Sequence, residues 1–206
     1  SEMLKNFPEL FVGGNIIIGL PGEKFFQIMD SFKFALEINL DWTPMTMCQS
    51  IRGASAFSDS GEYFENQMKT KGKNVLNFIP VRDSSKGCAE ADDTVLRGLN
   101  VFRVDPESEP SADQVREIWF AFNVICNYVF SKNLMPGGRP DKFIYWVENA
   151  QKSYPTNPYM CLFLSLACVL KGDLEKAEGL RAQAIEYSQP EYWRNRFETF
   201  GLDTIL

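Results

Sequence analysis

Between Leu10 and Leu20 the chain carries a short apolar run, with Phe11, Val12 and three consecutive isoleucines at positions 16 to 18, bounded by glycines. A run that is continuous rather than alternating predicts a strand buried on both faces. It breaks at Gly19-Leu20-Pro21-Gly22-Glu23. From Lys24 to Leu40 the apolar residues Phe25, Ile28, Met29, Phe32, Leu36 and Leu40 then recur at helical spacing. That period predicts an amphipathic helix with Glu23 in its first turn, where a negative charge meets the positive end of the helix dipole. A second strand is expected from Trp42 to Ser50, ahead of the turn Arg52-Gly53-Ala54-Ser55. Strand, helix and strand within about forty residues make a βαβ unit, which implies parallel pairing and a right-handed crossover. Two strands alone are not a fold.

From Ser58 to Glu109 the periodicity weakens. GEYFENQMK predicts a short helix, VLNFIPV an extended run, and Arg82 to Asp93 a loop of mixed charge, Ser and Gly. Residues 104 to 113, VDPESEPSAD, place two prolines and four acids before the next apolar period. The acids lack the spacing of a calcium loop and read as a solvated connector. The connector divides the chain into an α/β region, 1-104, and a helical region, 105-206.

Beyond it, Val115, Ile118, Trp119, Phe122, Ile125, Cys126 and Val129 mark an amphipathic helix, with Ser111 and Gln114 as a capping pair. Helices are expected at 113–132, 140–153, 158–171 and 173–188, with PEYWRNRFETFG as a capping helix. A shift of 34 aligns Asn123 with Asn157, Ser131 with Ser165, Gly138 with Gly172, Lys142 with Lys176 and Ala150 with Ala184. That shift equals the tetratricopeptide period, and Gly172, Ala177 and Ala184 stand at its small-residue positions. Small residues there let paired helices approach closely. The first copy is degenerate, with Phe143 where the second has Ala177. The aromatic set Trp119, Tyr145, Trp146, Tyr159, Tyr192, Trp193 and Phe197 is expected to be mainly interhelical core, with anchoring of a protein partner as the alternative.

With 206 residues and 45% hydrophobic content the chain can bury a substantial core. Its net charge of −6 argues against nucleic acid or an anionic membrane as partner. No apolar stretch is long enough for a membrane span, and the amino terminus has no secretory-leader pattern, so the expected location is cytoplasmic. Cys48, Cys88, Cys126, Cys161 and Cys168 show no metal-cage spacing and are expected to be buried thiols. Histidine is absent. The commonest general base and zinc ligand are therefore missing, and chemistry falls to carboxylates, lysines, tyrosines or a borrowed cofactor.

The Gly19 to Glu23 corner admits two readings. Its glycines permit unusual backbone angles and let a flat ligand approach main chain free of Cβ atoms, with helix amides nearby. Alternatively they only build a tight strand-to-helix corner.

The block NIIIGLPGE, the long helix ending in LDW, and TPMTMCQSIRGASAF together resemble the back half of the radical S-adenosylmethionine (radical SAM) barrel, especially the subgroup with an upstream cobalamin-binding domain. The resemblance covers roughly residues 10 to 60. It implies a partial TIM-like barrel whose late βα units form the α/β part, followed by the all-α helical-repeat region. It also implies that Ile17, Gly19, Leu20, Pro21, Gly22 and Glu23 line the SAM pocket. Where the family carries a Pro-Gly-Thr turn, this chain has Arg52-Gly53-Ala54. The C-x-x-x-C-x-x-C run that holds the family's [4Fe-4S] cluster is missing from the sequence. The resemblance therefore implies a carboxyl-terminal piece, inactive alone, whose partner is the upstream part of the same polypeptide. That part would hold the cluster and, in this subgroup, cobalamin. The competing class is a helical-repeat interaction module that binds a protein partner and carries a non-catalytic βα unit.

Overall fold

The computed structural model describes residues 6–48 and 105–206. The expectations for the Arg52 turn, GEYFENQMK, VLNFIPV, the 82–93 loop and Cys88 lie outside the described residues. The fold is mostly helical, with one small two-stranded parallel sheet. In chain order the elements are β1 (Ile16–Ile18), α1 (Phe25–Ile38), β2 (Met45–Met47), α2 (Ala112–Val124), α3 (Pro140–Gln151), α4 (Pro158–Lys171), α5 (Leu174–Tyr187) and α6 (Glu191–Thr199). A π turn, Ile125–Val129, and a 3-10 turn, Lys132–Leu134, follow α2. Two compact units arise from interleaved segments. One comprises Asn15–Glu37 and Pro44–Asn123, the other Ser1–Gly14, Ile38–Thr43 and Val124–Leu206.

In the first unit β1 and β2 pair in parallel, Ile16 with Met45, Ile17 with Thr46 and Ile18 with Met47. The βαβ reading therefore holds. The strands are much shorter than the apolar run implied, and β1 is not buried on both faces: Ile18 is fully buried but Ile17 is 51% exposed. Ile17 and its neighbour Thr46 lie on the face that no described element covers. On the other face, Ile18 and Met45 join Ile28 and Phe32 of α1 with Val115, Ile118 and Phe122 of α2 in the buried core. Phe32 and Phe122 stack with ring centres 3.9 Å apart.

The connector expected to be merely solvated has a structural task. The carbonyls of Ser108 and Pro106 accept the N–H groups of Phe25 and Phe26 at 2.9 and 3.0 Å, and Lys24 Nζ donates to the Glu107 carbonyl at 2.8 Å. These bonds satisfy donors that the first turn of α1 would otherwise leave without partners. At the start of α2 the expected capping box forms: Ser111 N–H donates to Gln114 Oε1 at 2.8 Å, and Gln114 N–H donates to Ser111 Oγ at 3.3 Å.

The second unit contains α3 to α6. Asn157 caps α4 by accepting the Met160 N–H at 3.2 Å, and Pro158 occupies a first-turn position where a missing N–H does no harm. Gly172, at φ 81°, ends α4 in the left-handed conformation that glycine adopts without strain. Asp173 then accepts the Lys176 N–H and starts α5. With only two residues between them, α4 and α5 form a hairpin. Ala177 and Ala184 are buried in it, and Ser165 Oγ donates to the Ala177 carbonyl at 2.7 Å, a contact that only closely packed helices permit. Tyr159, at the start of α4, meets Phe197 and Trp193 of α6 at 4.4 and 5.7 Å between ring centres.

The 34-residue shift places the first residue of α5 on the first residue of α3, Leu174 on Pro140. It places α4 only partly on a helix: 158–163 fall on 124–129, where α2 runs on as the π-helical stretch Ile125–Val129. The matching stretch, 124–137, holds the π turn and the 3-10 turn. The close hairpin therefore occurs once among the described residues. Phe143, fully buried where the second copy has Ala177, supplies bulk that close helix pairing excludes.

Ala184→Leu is expected to lower stability by about 1–3 kcal/mol through overpacking. The exposed Ala182→Leu should stay within about 0.5 kcal/mol of the parent. Urea unfolding of both variants checks this, and equal midpoints would remove the close-packing account of the hairpin.

Candidate functional site

The corner leaving β1 is held from within. Gly19 and Gly22 adopt φ values of 76° and 79°. Glu23 does not sit in the first turn of α1, which begins at Phe25. Its Oε2 instead accepts the N–H groups of Gly19 at 2.6 Å and Leu20 at 3.0 Å, and its own N–H donates to the Leu20 carbonyl at 2.9 Å. A carboxylate accepting two main-chain donors is a strong local clasp. It explains why a glutamate follows the Gly-Leu-Pro-Gly turn.

The remaining residues of the corner divide into covered and open. A Cβ on Gly19 would come within 2.8 Å of Val115 Cγ1, so the space beside this glycine is filled by α2. Around Gly22 no atom lies within 4 Å of the equivalent position. Leu20 is 43% exposed, and Ile17 opens onto the uncovered sheet face. Ile17, Leu20 and Gly22 thus leave an open, mainly apolar surface beside the bend. Gly19 and Glu23 shape the corner, and Pro21 stiffens it.

The residues present do not fit an iron–sulfur cluster. Among the described residues no three His, Cys, Asp or Glu side chains converge. Cys48, Cys161 and Cys168 are buried, and Cys126 is partly so. Burial raises each of these thiols, Cys126 to about 12, and the Glu23 charge raises Cys48 further. Such thiols are protonated packing groups, whereas cluster ligation needs thiolates. The expectation of buried thiols holds for Cys48, Cys161 and Cys168, and Cys126 is half-buried.

A second polar centre, not anticipated from the sequence, lies in the second unit. The Asp41 side chain is 1% exposed. Its Oδ2 accepts the Val12 N–H at 2.8 Å and its Oδ1 accepts Asn133 Nδ2 at 3.1 Å. Lys132 Nζ and Lys142 Nζ stand 3.4 and 3.6 Å from Oδ1. Burial alone would raise this carboxyl, but the two hydrogen bonds and the two ammonium groups outweigh it and hold the group below its ordinary 3.8. Lys142 also donates to the Leu10 carbonyl at 2.6 Å. Trp42, the next residue, packs on Tyr128, Phe143 and Trp146, so an aromatic cluster adjoins the ion group. In the sequence the only signal was an acid inside the otherwise apolar stretch Leu40-Asp41-Trp42.

Of the aromatic residues considered as anchors, Tyr159 and Phe197 are core, Trp119, Tyr192 and Trp193 are half-buried, and Tyr145 is 68% exposed. Arg196 is buried, with its guanidinium 5.3 Å from the centre of the Tyr192 ring. Comparisons with family models, curated proteins and solved structures give no match to this chain. No helix among the described residues is long and apolar enough to cross a membrane.

Two outcomes are expected. Asp41→Asn should cost about 2–3 kcal/mol at pH 7, because the largely covered Lys142 ammonium and the partly exposed Lys132 lose their counter-charge. Since the folded carboxyl titrates below the unfolded one, its stabilisation is complete above about pH 4 and is lost as pH falls through the folded value. The gap between parent and variant should therefore close in acid, and a gap independent of pH would contradict the assignment. Gly19→Ala should cost about 2–3 kcal/mol from left-handed strain plus collision with Val115, and Val115→Ala should relieve part of it. Gly22→Ala, which meets only strain, should cost about 1 kcal/mol. Thermal unfolding of the four proteins tests this ordering.

Proposed function

We propose that this chain works as the carboxyl-terminal part of a radical SAM enzyme. In this reading it contributes late βα units of a partial TIM-like barrel and one wall of the SAM pocket. The observation that carries the reading is the asymmetry of the sheet. Along the outer edge of β2, Asn123 Oδ1 accepts the Met45 N–H at 3.1 Å and Asn123 Nδ2 donates to the Met45 carbonyl at 3.0 Å. A side-chain amide thus takes the place of a next strand, as the end of a sheet requires. On the β1 side no described strand pairs, and Ile17 is exposed. An open parallel edge beside an uncovered apolar face calls for further strands, because unpaired peptide groups and exposed isoleucine are both unfavourable there.

The upstream part of the same polypeptide is the partner assigned to that edge. It would bring the [4Fe-4S] cysteines and, in the cobalamin-associated subgroup, the cobalamin domain. Together with the cluster, bound SAM supplies radical chemistry by reductive cleavage. The role of this chain's residues is binding and shaping: Ile17, Leu20 and Gly22 face the cofactor, while Glu23 and Pro21 hold the bend. By itself the chain is catalytically inactive, and the proposed location is cytoplasmic.

One observation favours a second reading, a helical-repeat interaction module with a non-catalytic βα unit. On α4, Leu166, Val169 and Leu170 are 39%, 48% and 51% exposed at i, i+3 and i+4, an apolar stripe on one helix face.

The coding sequence upstream of Ser1 separates the two readings. The enzyme reading expects C-x-x-x-C-x-x-C roughly 100 to 150 residues before Gly19. It also expects the joined protein, reconstituted with iron and sulfide and reduced, to release 5′-deoxyadenosine from SAM. An upstream sequence without that motif contradicts the enzyme reading and favours the module. Titration of the 206-residue chain with SAM should show no micromolar binding, since half a pocket leaves the ligand in water.

A further inference from the structure

Within the second unit a cleft of about 480 Å³ opens beside the Asp41 centre. This volume is in the range of small-molecule sites. Its lining combines the apolar Leu10, Val12 and Met135 with the cationic Lys132, Arg139 and Lys142. The charges are not equivalent. Lys142 is 12% exposed and is committed to the Leu10 carbonyl and Asp41. Arg139 is tied by two hydrogen bonds, at 3.0 and 2.8 Å, to Asp141. Lys132 touches only the single buried oxygen Asp41 Oδ1, at 3.4 Å, among the described residues and keeps 35% of its side chain exposed. Its ammonium has three donors, so two remain for a ligand. Asp41 in turn is saturated by Val12, Asn133 and the lysines, and it stabilises the ammonium groups without offering a free acceptor to the cleft.

Chain geometry keeps the wall in place. A Cβ on Gly138 would collide with the Lys132 carbonyl, so the turn carrying Arg139 rests directly on the main chain that carries Lys132. Both cations are therefore borne on one closely packed stretch of backbone.

We propose that this cleft binds a small amphipathic anion, a carboxylate or phosphate monoester with an apolar body about the size of one ring. Lys132 is the cationic anchor for the anion and Leu10 the apolar contact. The site lies wholly within the second unit and does not depend on the radical SAM reading.

Isothermal titration of the 206-residue chain at low salt tests the proposal, with phenyl phosphate, benzoate and inorganic phosphate as probes. Phenyl phosphate or benzoate should bind at least about fivefold more tightly than inorganic phosphate, and the affinity should fall with added salt. Lys132→Met should weaken binding about tenfold. Leu10→Asn, at a half-exposed side chain outside the ion group, should weaken the ring-bearing probes and leave inorganic phosphate unchanged. Lys176→Gln, whose ion pair is with Glu148 on the α3–α5 surface, should have no effect. If Lys132→Met fails to fold, as circular dichroism would show, Leu10→Asn carries the test. No heat with any probe at about 10 mM, equal affinity for inorganic and phenyl phosphate, or parent-like binding by the folded variants would overturn the assignment.

Discussion

Everything in the βα unit depends on where the main-chain hydrogen bonds of two three-residue strands go. A parallel pair this short satisfies only the groups that face each other, and each peptide group left buried without a partner costs about 1–3 kcal/mol. The side chain of Asn123 resolves the problem on the β2 side because a carboxamide carries one acceptor and two donors in the geometry of a peptide group. It takes both the N–H and the carbonyl of Met45, and it also donates to the Trp119 carbonyl one helical turn back, which fixes its rotamer. The second unit uses the same device. Asn127, 1% exposed, accepts the Thr43 N–H at 2.6 Å and donates to the Thr43 carbonyl at 3.0 Å. In each unit a helix stands in for a strand. The β1 edge has no such substitute among the described residues.

The glycine corner shows how one motif serves packing and exposure together. Gly19 is required by the backbone angle and by Val115, and Glu23 by the two N–H groups it accepts. Those needs account for two of the six residues without any ligand. They leave a stiff bend on which Leu20 and Gly22 stand open, and such a bend is preorganised for contact because its shape is fixed before anything binds.

Helices α3, α4 and α5 were legible in the sequence to within two residues, and the reason is local. Pro140 and Pro158 start α3 and α4, as the Ser111–Gln114 box starts α2, Gly172 ends α4, and an apolar period of 3.6 runs between these marks. The βα crossover was legible for the same reason. What the sequence hid depends on long-range partners. Strand length is set by pairing, and the apolar run from Leu10 divides between a true strand and a segment whose Val12 serves Asp41 and Trp42. Asp41 looked like an ordinary loop acid because its partners lie about ninety residues or more away at Asn133, Lys132 and Lys142. Asn123 and Asn127 carry a signal of their own in the sequence: two asparagines at i and i+4 beside the apolar positions of a helix. Polar groups placed there need acceptors and donors from another segment. The repeat shift itself departs from the structure over 130–137, where the chain turns through the 3-10 stretch Lys132–Leu134, and identity at five positions does not report the volume that Phe143 introduces.

Amide hydrogen exchange of the 206-residue chain, resolved by residue, tests the central claim that β2 has a terminated edge and β1 an open one. The account predicts that the Met45 amide, held only by the Asn123 side chain, is protected to the same degree as the ladder amides of Ile16 and Cys48, and that Asn123→Ala selectively removes its protection. It predicts fast exchange at Ile17. Strong protection of Ile17, or exchange of Met45 at the rate of an open loop in the unaltered protein, would contradict it.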